Sequence, residues 1–425
     1  MSAPARLSAL APFHVRSFRF QWPADMATSW AFEMETIILG WYVLVESGSV
    51  LLLTFFASLQ YTGTLIAPML GVMGDRLGQR NMLCAMRAVY LTLATTLMIL
   101  AYTGILTPAY AMVIAGIMGM VRPSDIGMRT ALIGDTMPGT QLMGAMSIQR
   151  TTQDTAKIMG ALSGAGLVAM LGMAPAYTVV ASLYTISVLL TLQTGRARPE
   201  RHPAEDTAGV SERSQVRSSP WRDLKEGLAY VWNTPLLRAV MYLAFLLNLT
   251  AFPLMMSLMP YVAKEIYHAD QTTLGYLVAS GAFGALLGSI AASRYGGAFP
   301  PARMMLVFAT GWYVMLTIFA HTQHPGTGIP ILMLTGFSFS LCQIPMSATL
   351  LRNSEERFRG RIMGVRMLAI YGNLPALWIA GPLIAGYGYP FLATLYCAVG
   401  IVFIGFITVR WRAQLWRLDA PANRR

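Results

Sequence analysis

The sequence predicts an all-α integral membrane protein with twelve transmembrane helices in two six-helix halves. Three observations carry that expectation. Of the 425 residues, 55% are hydrophobic and only 12% charged, against roughly 45–50% and about 25% in soluble domains. The length also divides into about a dozen units, each of roughly 20 apolar residues and a short connection. Finally, the basic residues lie almost wholly in alternate breaks between the apolar stretches, as positive-inside insertion requires.

Taken in chain order, the apolar stretches predict spans near 20–44, 48–70, 81–103, 109–132, 141–168, 173–194, 237–261, 272–292, 303–322, 329–350, 363–386 and 390–411. One long polar segment separates the sixth span from the seventh and ends in an amphipathic stretch, WRDLKEGLAYVW. The expected organisation is a first half over 1–194, a cytoplasmic linker over 195–235 and a second half over 236–425. With the N-terminus inside, the inner breaks hold Arg76, Arg80, the arginines of the linker, Arg294, Arg303, Arg352, Arg357, Arg359 and Arg361, whereas the outer breaks hold only Lys264. Both termini are therefore expected in the cytoplasm. The opening residues carry Arg6, His14 and Arg16 without an apolar core, so the first span is expected to act as an uncleaved signal.

The same distribution argues against a nucleic-acid partner. A formal charge of +12 is spread over short loops that face an anionic leaflet and forms no single binding face. Cys84, Cys342 and Cys397 sit in apolar runs without CxxC or Cys/His spacing, so neither a disulfide frame nor a metal site is expected. With no GxxxxGK[ST], HExxH or GxSxG stretch, the chain offers no nucleotide loop and no enzyme motif, and no cofactor is expected. A weak internal repeat links the halves: MGAMSIQR (143–150), reaching GALSGAG (160–166), has a counterpart in MGVRMLAI (363–370), reaching GPLIAG (381–386). Repeats of this kind place a substrate site near the midplane, between halves that rock against one another.

Charged groups inside a bilayer are costly, so each is a functional candidate. The first span carries Asp25, Glu33 and Glu35, and at about 100° per residue these share one arc of roughly 160° with Thr28, Ser29 and Thr36. Both glutamates are thus expected to border a single aqueous cavity, about 20 Å from the start of the span and near the centre of a ~30 Å core. They have no basic partner on their own helix, and desolvation penalises a lone carboxylate, which suits a proton carrier. On the fourth span Arg122, Asp125 and Arg129 share a face, with Pro123 as an expected kink. On the fifth, Asp154 can reach Arg150 and Lys157 at helical spacing, an arrangement that is equally consistent with a purely structural cluster. The second half offers Asn248, Gln343 and Asn373 as candidates for a neutral substrate wall, with no acid in mid-membrane.

One loop resembles a known family. GVMGDRLGQRNM (71–82), between spans two and three, is similar to the GxLaDrxGrkxxl loop of the major facilitator superfamily, through Gly71, Gly74, Asp75, Arg76, Gly78 and Arg80. RGRIMGV (359–365) and LKEGLAYVWNTPLLR (224–238) resemble the branch that contains enterobactin exporters and macrolide efflux pumps. The chain departs from the drug/proton antiporter pattern on the fifth span, where Ala161 follows Gly160 in place of proline. The Gly-Pro pair stands instead at Gly381–Pro382, and the second-half copy of the loop, SRYGGAFPPARM (293–304), is degenerate.

The resemblance implies the major facilitator fold and a secondary transporter of the bacterial inner membrane. That transporter would export a small amphipathic molecule, drug-like or a siderophore, driven by proton inflow, with the 71–80 loop as a cytoplasmic latch. Expected partners are the substrate, protons and membrane lipids, with a monomer assumed. Import or lipid flipping by the same fold, and a non-transporting receptor or assembly role, remain open alternatives.

Overall fold

The structure, a computed structural model, describes residues 11–65, 70, 73–74, 77–195, 220–295, 299–355 and 358–417. Among them the ordered backbone is helical and no strand forms. In the first half run α1 (Arg16–Ser47), α2 (Val50–Leu59), α3 (Gln79–Tyr102), α4 (Pro108–Thr136), α5 (Gly139–Leu171) and α6 (Met173–Gln193). The amphipathic α7 (Pro220–Asn233) follows. The second half comprises α8 (Pro235–Thr250), α9 (Gln271–Tyr295), α10 (Pro301–Ala320), α11 (Pro325–Arg352), α12 (Arg359–Leu368), α13 (Asn373–Tyr387) and α14 (Tyr389–Arg410), with a short α15 (Arg412–Arg417) at its end.

Among the described residues, eight stretches are long and apolar enough to cross a membrane on their own, and six of these lie after residue 230. The four remaining spans all belong to the first half. Helices α1, α4 and α5 carry charges inside their expected spans: Asp25 and Glu33 of α1 meet their basic partners only through packing, whereas Asp125 and Asp154 each have a basic partner on their own helix. The second span is interrupted: α2 stops at Leu59, and a 3-10 turn follows at Thr62–Leu65. Gly63 and Gly119 of α4 meet there backbone to backbone, with no room for a Cβ on either.

Proline opens α4, α8, α10 and α11, where its missing N–H removes no helical bond. The seventh span extends beyond its expected end, through π-helical stretches at Pro253–Ser257 and Val262–Ile266. The eleventh is divided by a 3-10 turn at Ala369–Gly372. Two glycines mark the internal repeat. Gly172 joins α5 to α6 and Gly388 joins α13 to α14, each at φ 84° and each donating its N–H back to a carbonyl at 2.9 Å, that of Val168 or Ile384. Side chains rarely adopt that backbone conformation.

Small residues bring the helices together. A Cβ on Gly164 of α5 would lie 2.9 Å from Met34 Cα of α1, so the GALSGAG stretch serves close helix packing. The halves meet where α5 touches α9 and α2 touches α13. Added Cβ atoms at Gly275 and Gly381 would lie 2.6 Å from Ala165 Cβ and 2.6 Å from Thr54 Oγ1 respectively, and Trp378 Nε1 donates to Ser58 Oγ at 3.3 Å. These contacts lie toward the end of the bundle that holds Gly48, Gly172 and Gly388. At the opposite end α7 rests on the start of the eleventh span, through Arg361 Nη1 on Glu226 Oε2 at 2.6 Å and a Tyr230–Phe358 stack at 4.4 Å.

Candidate functional site

Four charged residues form a closed knot inside the first half. Asp25 of α1, Arg87 of α3, and Asp125 and Arg129 of α4 are all buried. Asp25 pairs with Arg87, and Asp125 with Arg129. Cross-pairs run from Arg129 Nε to Asp25 Oδ1 at 3.7 Å and from Arg87 Nε to Asp125 Oδ1 at 3.9 Å. Arg129 also donates to Ser29 Oγ at 2.7 Å and to the Asp25 carbonyl at 3.3 Å, while Arg87 donates to Thr191 Oγ1 of α6. Two acids and two bases cancel, so the group can stay dry at tolerable cost. Sequence reasoning found three of its members and missed Arg87. The available signal was that Arg87 is the one charge within the expected third span.

Beside this knot lies a cavity of about 140 Å³. Its walls include Phe32 and Glu33 of α1, Tyr90 of α3, Arg122 of α4, and Gln153 and Lys157 of α5. Arg122 Nη2 contacts Glu33 Oε1 at 3.0 Å, with the two side chains 28% and 20% exposed. The guanidinium also stacks on Phe32, its Cζ 3.3 Å from the ring centroid, a cation–π contact that holds it over the cavity. The Asp154 cluster forms as the spacing predicts, with Arg150 Nε at 3.3 Å and Lys157 Nζ at 4.0 Å from the carboxylate.

Glu35 is elsewhere. The expectation that both glutamates border one cavity is corrected, because Glu35 turns into the first half and is 2% exposed. There it accepts a hydrogen bond from Tyr184 of α6 at 3.1 Å, and its other oxygen has no partner. It borders a separate space of about 20 Å³ between α1, α2 and α4. The wheel arc of the first span was too wide to tell the two environments apart, since a buried helix has neighbours on every side.

In the second half, Asn248 and Asn373 face each other and form no open wall. Asn373 Nδ2 donates to Asn248 Oδ1 at 2.9 Å, and the two residues are 1% and 9% exposed. They tie the seventh span to the eleventh, because a buried amide is stabilised by a partner amide. Gln343 instead accepts from Arg366 Nη2 at 2.9 Å, and Arg366 also donates to Ser347 Oγ. Arg366 is the second residue that sequence reasoning passed over, again the one charge within its expected span.

Within the 71–80 loop, Gly71, Asp75 and Arg76 lie outside the described residues. Gly74 packs against Met128 of α4, Gly78 precedes α3 at φ 84°, and Arg80 donates to the carbonyls of Thr191 and Leu192 at the end of α6. A cation on those orphan carbonyls caps the helix and complements its dipole.

Two helical halves, an ion-lined cavity beside the first, and inter-half contacts gathered at one end define a membrane transporter. The Major Facilitator Superfamily profile matches residues 23–377, and the chain belongs to that family. It is 23% identical over 392 residues to the multidrug efflux pump Tap of Mycolicibacterium fortuitum, covering 90% of this chain and 92% of that protein. To the enterobactin exporter EntS of Citrobacter koseri it is 23% identical over 283 residues, 66% of this chain and 64% of that one. Among solved structures, the nucleoside transporter NupG superposes with a TM-score of 0.71 at 13% identity, covering 93% and 99% of the two chains. A D-xylose–proton symporter gives 0.69 at 13% identity over 92% and 96%. At these identities the structural likeness shows the fold alone.

Proposed function

We propose that the protein is a proton-coupled exporter of small amphipathic molecules in a bacterial inner membrane, with both termini cytoplasmic. The domain organisation would be 1–194, 195–235 and 236–425. The observation that carries the reading is the Glu33–Arg122 pair, among the described residues the one acid–base pair in mid-membrane that borders the cavity without a second acid to share it. Export is supported by the relatives, a multidrug efflux pump and an enterobactin exporter, and orientation by the basic inner breaks. In that orientation the end with the inter-half contacts is the outer one, which corresponds to an inward-open carrier.

The chemistry follows from the pair. A proton delivered to Glu33 neutralises the carboxylate and releases Arg122 from its counter-ion, leaving the guanidinium stacked on Phe32 as an unbalanced cation at the cavity wall. Deprotonation restores the pair. Alternating access is coupled to the proton if the two states favour different conformations, because a proton shifts the equilibrium only by its differential affinity. Glu35, 2% exposed and bonded by Tyr184, has no basic partner among the described residues.

The test uses everted vesicles carrying the full chain, an imposed pH gradient, and ethidium, rhodamine 123 and carboxyfluorescein as cargo. Glu33→Gln should abolish gradient-driven accumulation while leaving equilibrative exchange, and Glu35→Gln should keep accumulation within about threefold of wild type. If Glu33→Gln still concentrates cargo, the coupling site must move to Asp125 or Asp154.

A further inference from the structure

We propose that Arg366, held by Gln343 and Ser347, anchors an anionic group on the transported molecule, so that the cargo is an amphipathic anion of the carboxylate kind. The inference rests on the transport reading above and narrows its substrate class.

The charges of the spans decide it. The knot of Asp25, Asp125, Arg87 and Arg129 is neutral, and so is the Glu33–Arg122 pair. Asp154 answers only one of its two basic neighbours, Arg150 and Lys157. In the second half, Arg366 has no carboxylate partner among the described residues. Its recorded bonds go to two neutral acceptors one turn apart on α11, Gln343 Oε1 at 2.9 Å and Ser347 Oγ. Arg366 itself is half-buried, neither sealed in the core nor free on the surface. Among the described residues, the charge of Arg366 therefore stays unbalanced within its span, and an ionisable group inside a span marks a substrate path.

Structural arginines elsewhere in the chain meet an acid, as Arg87 and Arg129 do, or backbone carbonyls, as Arg80 does. Arg366 is built differently. Gln343 and Ser347 orient the guanidinium plane without neutralising it, and two bonds leave N–H donors over. A planar fork with spare donors and full charge matches a carboxylate, which it can grip through two parallel bonds.

The experiment measures binding to the purified full chain in lipid nanodiscs, without any gradient, by quenching of tryptophan fluorescence. The probes are 1-naphthoate and 1-naphthylmethylammonium, close in shape and opposite in charge. Naphthoate should bind at least about tenfold more tightly than the ammonium, and Arg366→Gln should weaken naphthoate by at least about tenfold, the loss expected for a charge-assisted bond. Ammonium binding should not weaken, because the substitution removes a like charge from the site. Arg366→Lys should fall between, because a point charge lacks the fork, and Gln343→Ala should weaken naphthoate by a smaller factor. These two variants decide the matter if Arg366→Gln does not fold. Equal affinity for the two probes, no binding of naphthoate to wild type, or naphthoate binding within twofold of wild type in a folded Arg366→Gln protein would each overturn the proposal. None of these outcomes depends on a proton gradient, so they are distinct from a failure of the Glu33 coupling test.

Discussion

Asp25 and Arg87 show how a buried charge is tolerated. Each is fully enclosed and each has a second partner of opposite sign in the knot. Removing one member leaves three charges that no longer cancel, and an uncompensated buried charge costs about 3–5 kcal/mol. Asp25→Asn and Arg87→Leu should therefore each lower thermal stability in detergent strongly. The double variant Asp25→Leu, Arg87→Leu, which leaves the Asp125–Arg129 pair balanced, should recover most of the loss. A double variant no more stable than the worse single would show that the knot is not held by charge balance. Arg87 was accessible to sequence reasoning as a lone intramembrane charge, but its partners were not. Nothing in the spacing of residues 25, 87, 125 and 129 says that three helices converge on one point.

At the scale of the element, interfaces and caps carry the testable content. Gly275 opens the approach of α9 to α5, and a side chain there would collide with Ala165 and the Ala161 carbonyl. Gly275→Leu should hold the halves apart at that end. Spin labels at Thr103 and His324, on different halves at the same end, should then report longer distances than in the wild-type background. Unchanged distances would mean that α9 shifts to absorb the side chain. The start of α9 has a second feature: Asp270 Oδ1 accepts from the Thr273 N–H at 3.0 Å and from its hydroxyl at 2.8 Å. The bond from the Thr273 backbone holds the Asp270 carboxyl below the ordinary carboxylate range. Because the folded value is depressed, the contribution is complete at neutral pH and is lost as the pH falls through that folded value. Asp270→Ala should cost about 1 kcal/mol at pH 7, and the difference from wild type should shrink as unfolding is measured at progressively more acid pH.

For the whole molecule, orientation is the first question. In the orientation proposed from the charge asymmetry, 195–235 is cytoplasmic and the 321–324 turn is external. Reporter fusions after Asn233 and His324 should give internal and external signals respectively, and the reverse pattern would invert every directional statement made here. The inter-half contacts at Gly275, Gly381 and Trp378 gather at one end, and the matching glycine turns at 172 and 388 occupy equivalent places in the two halves. A molecule built in this way can rock about its closed end with little change inside either half.

The sequence by itself determined the class of fold, the number and order of spans, the pairing of the halves by repeat, and the family through the 71–80 loop. It also gave the Asp154 cluster. All of these depend on patterns local to one helix or on counts along the chain, and a membrane fixes how such patterns are read: apolar length sets the spans and basic breaks set their sense. Only the tertiary structure separated Glu33 from Glu35, brought Arg87 to Asp25, turned Asn248 and Asn373 toward each other, and gave Arg366 no acid among the described residues. Each of those outcomes depends on which face of one helix meets which face of another. Two residues on adjoining faces of a helix can share a polar arc and still end in different surroundings, one beside a cavity and one against tyrosine, because the neighbouring helices divide that arc between them.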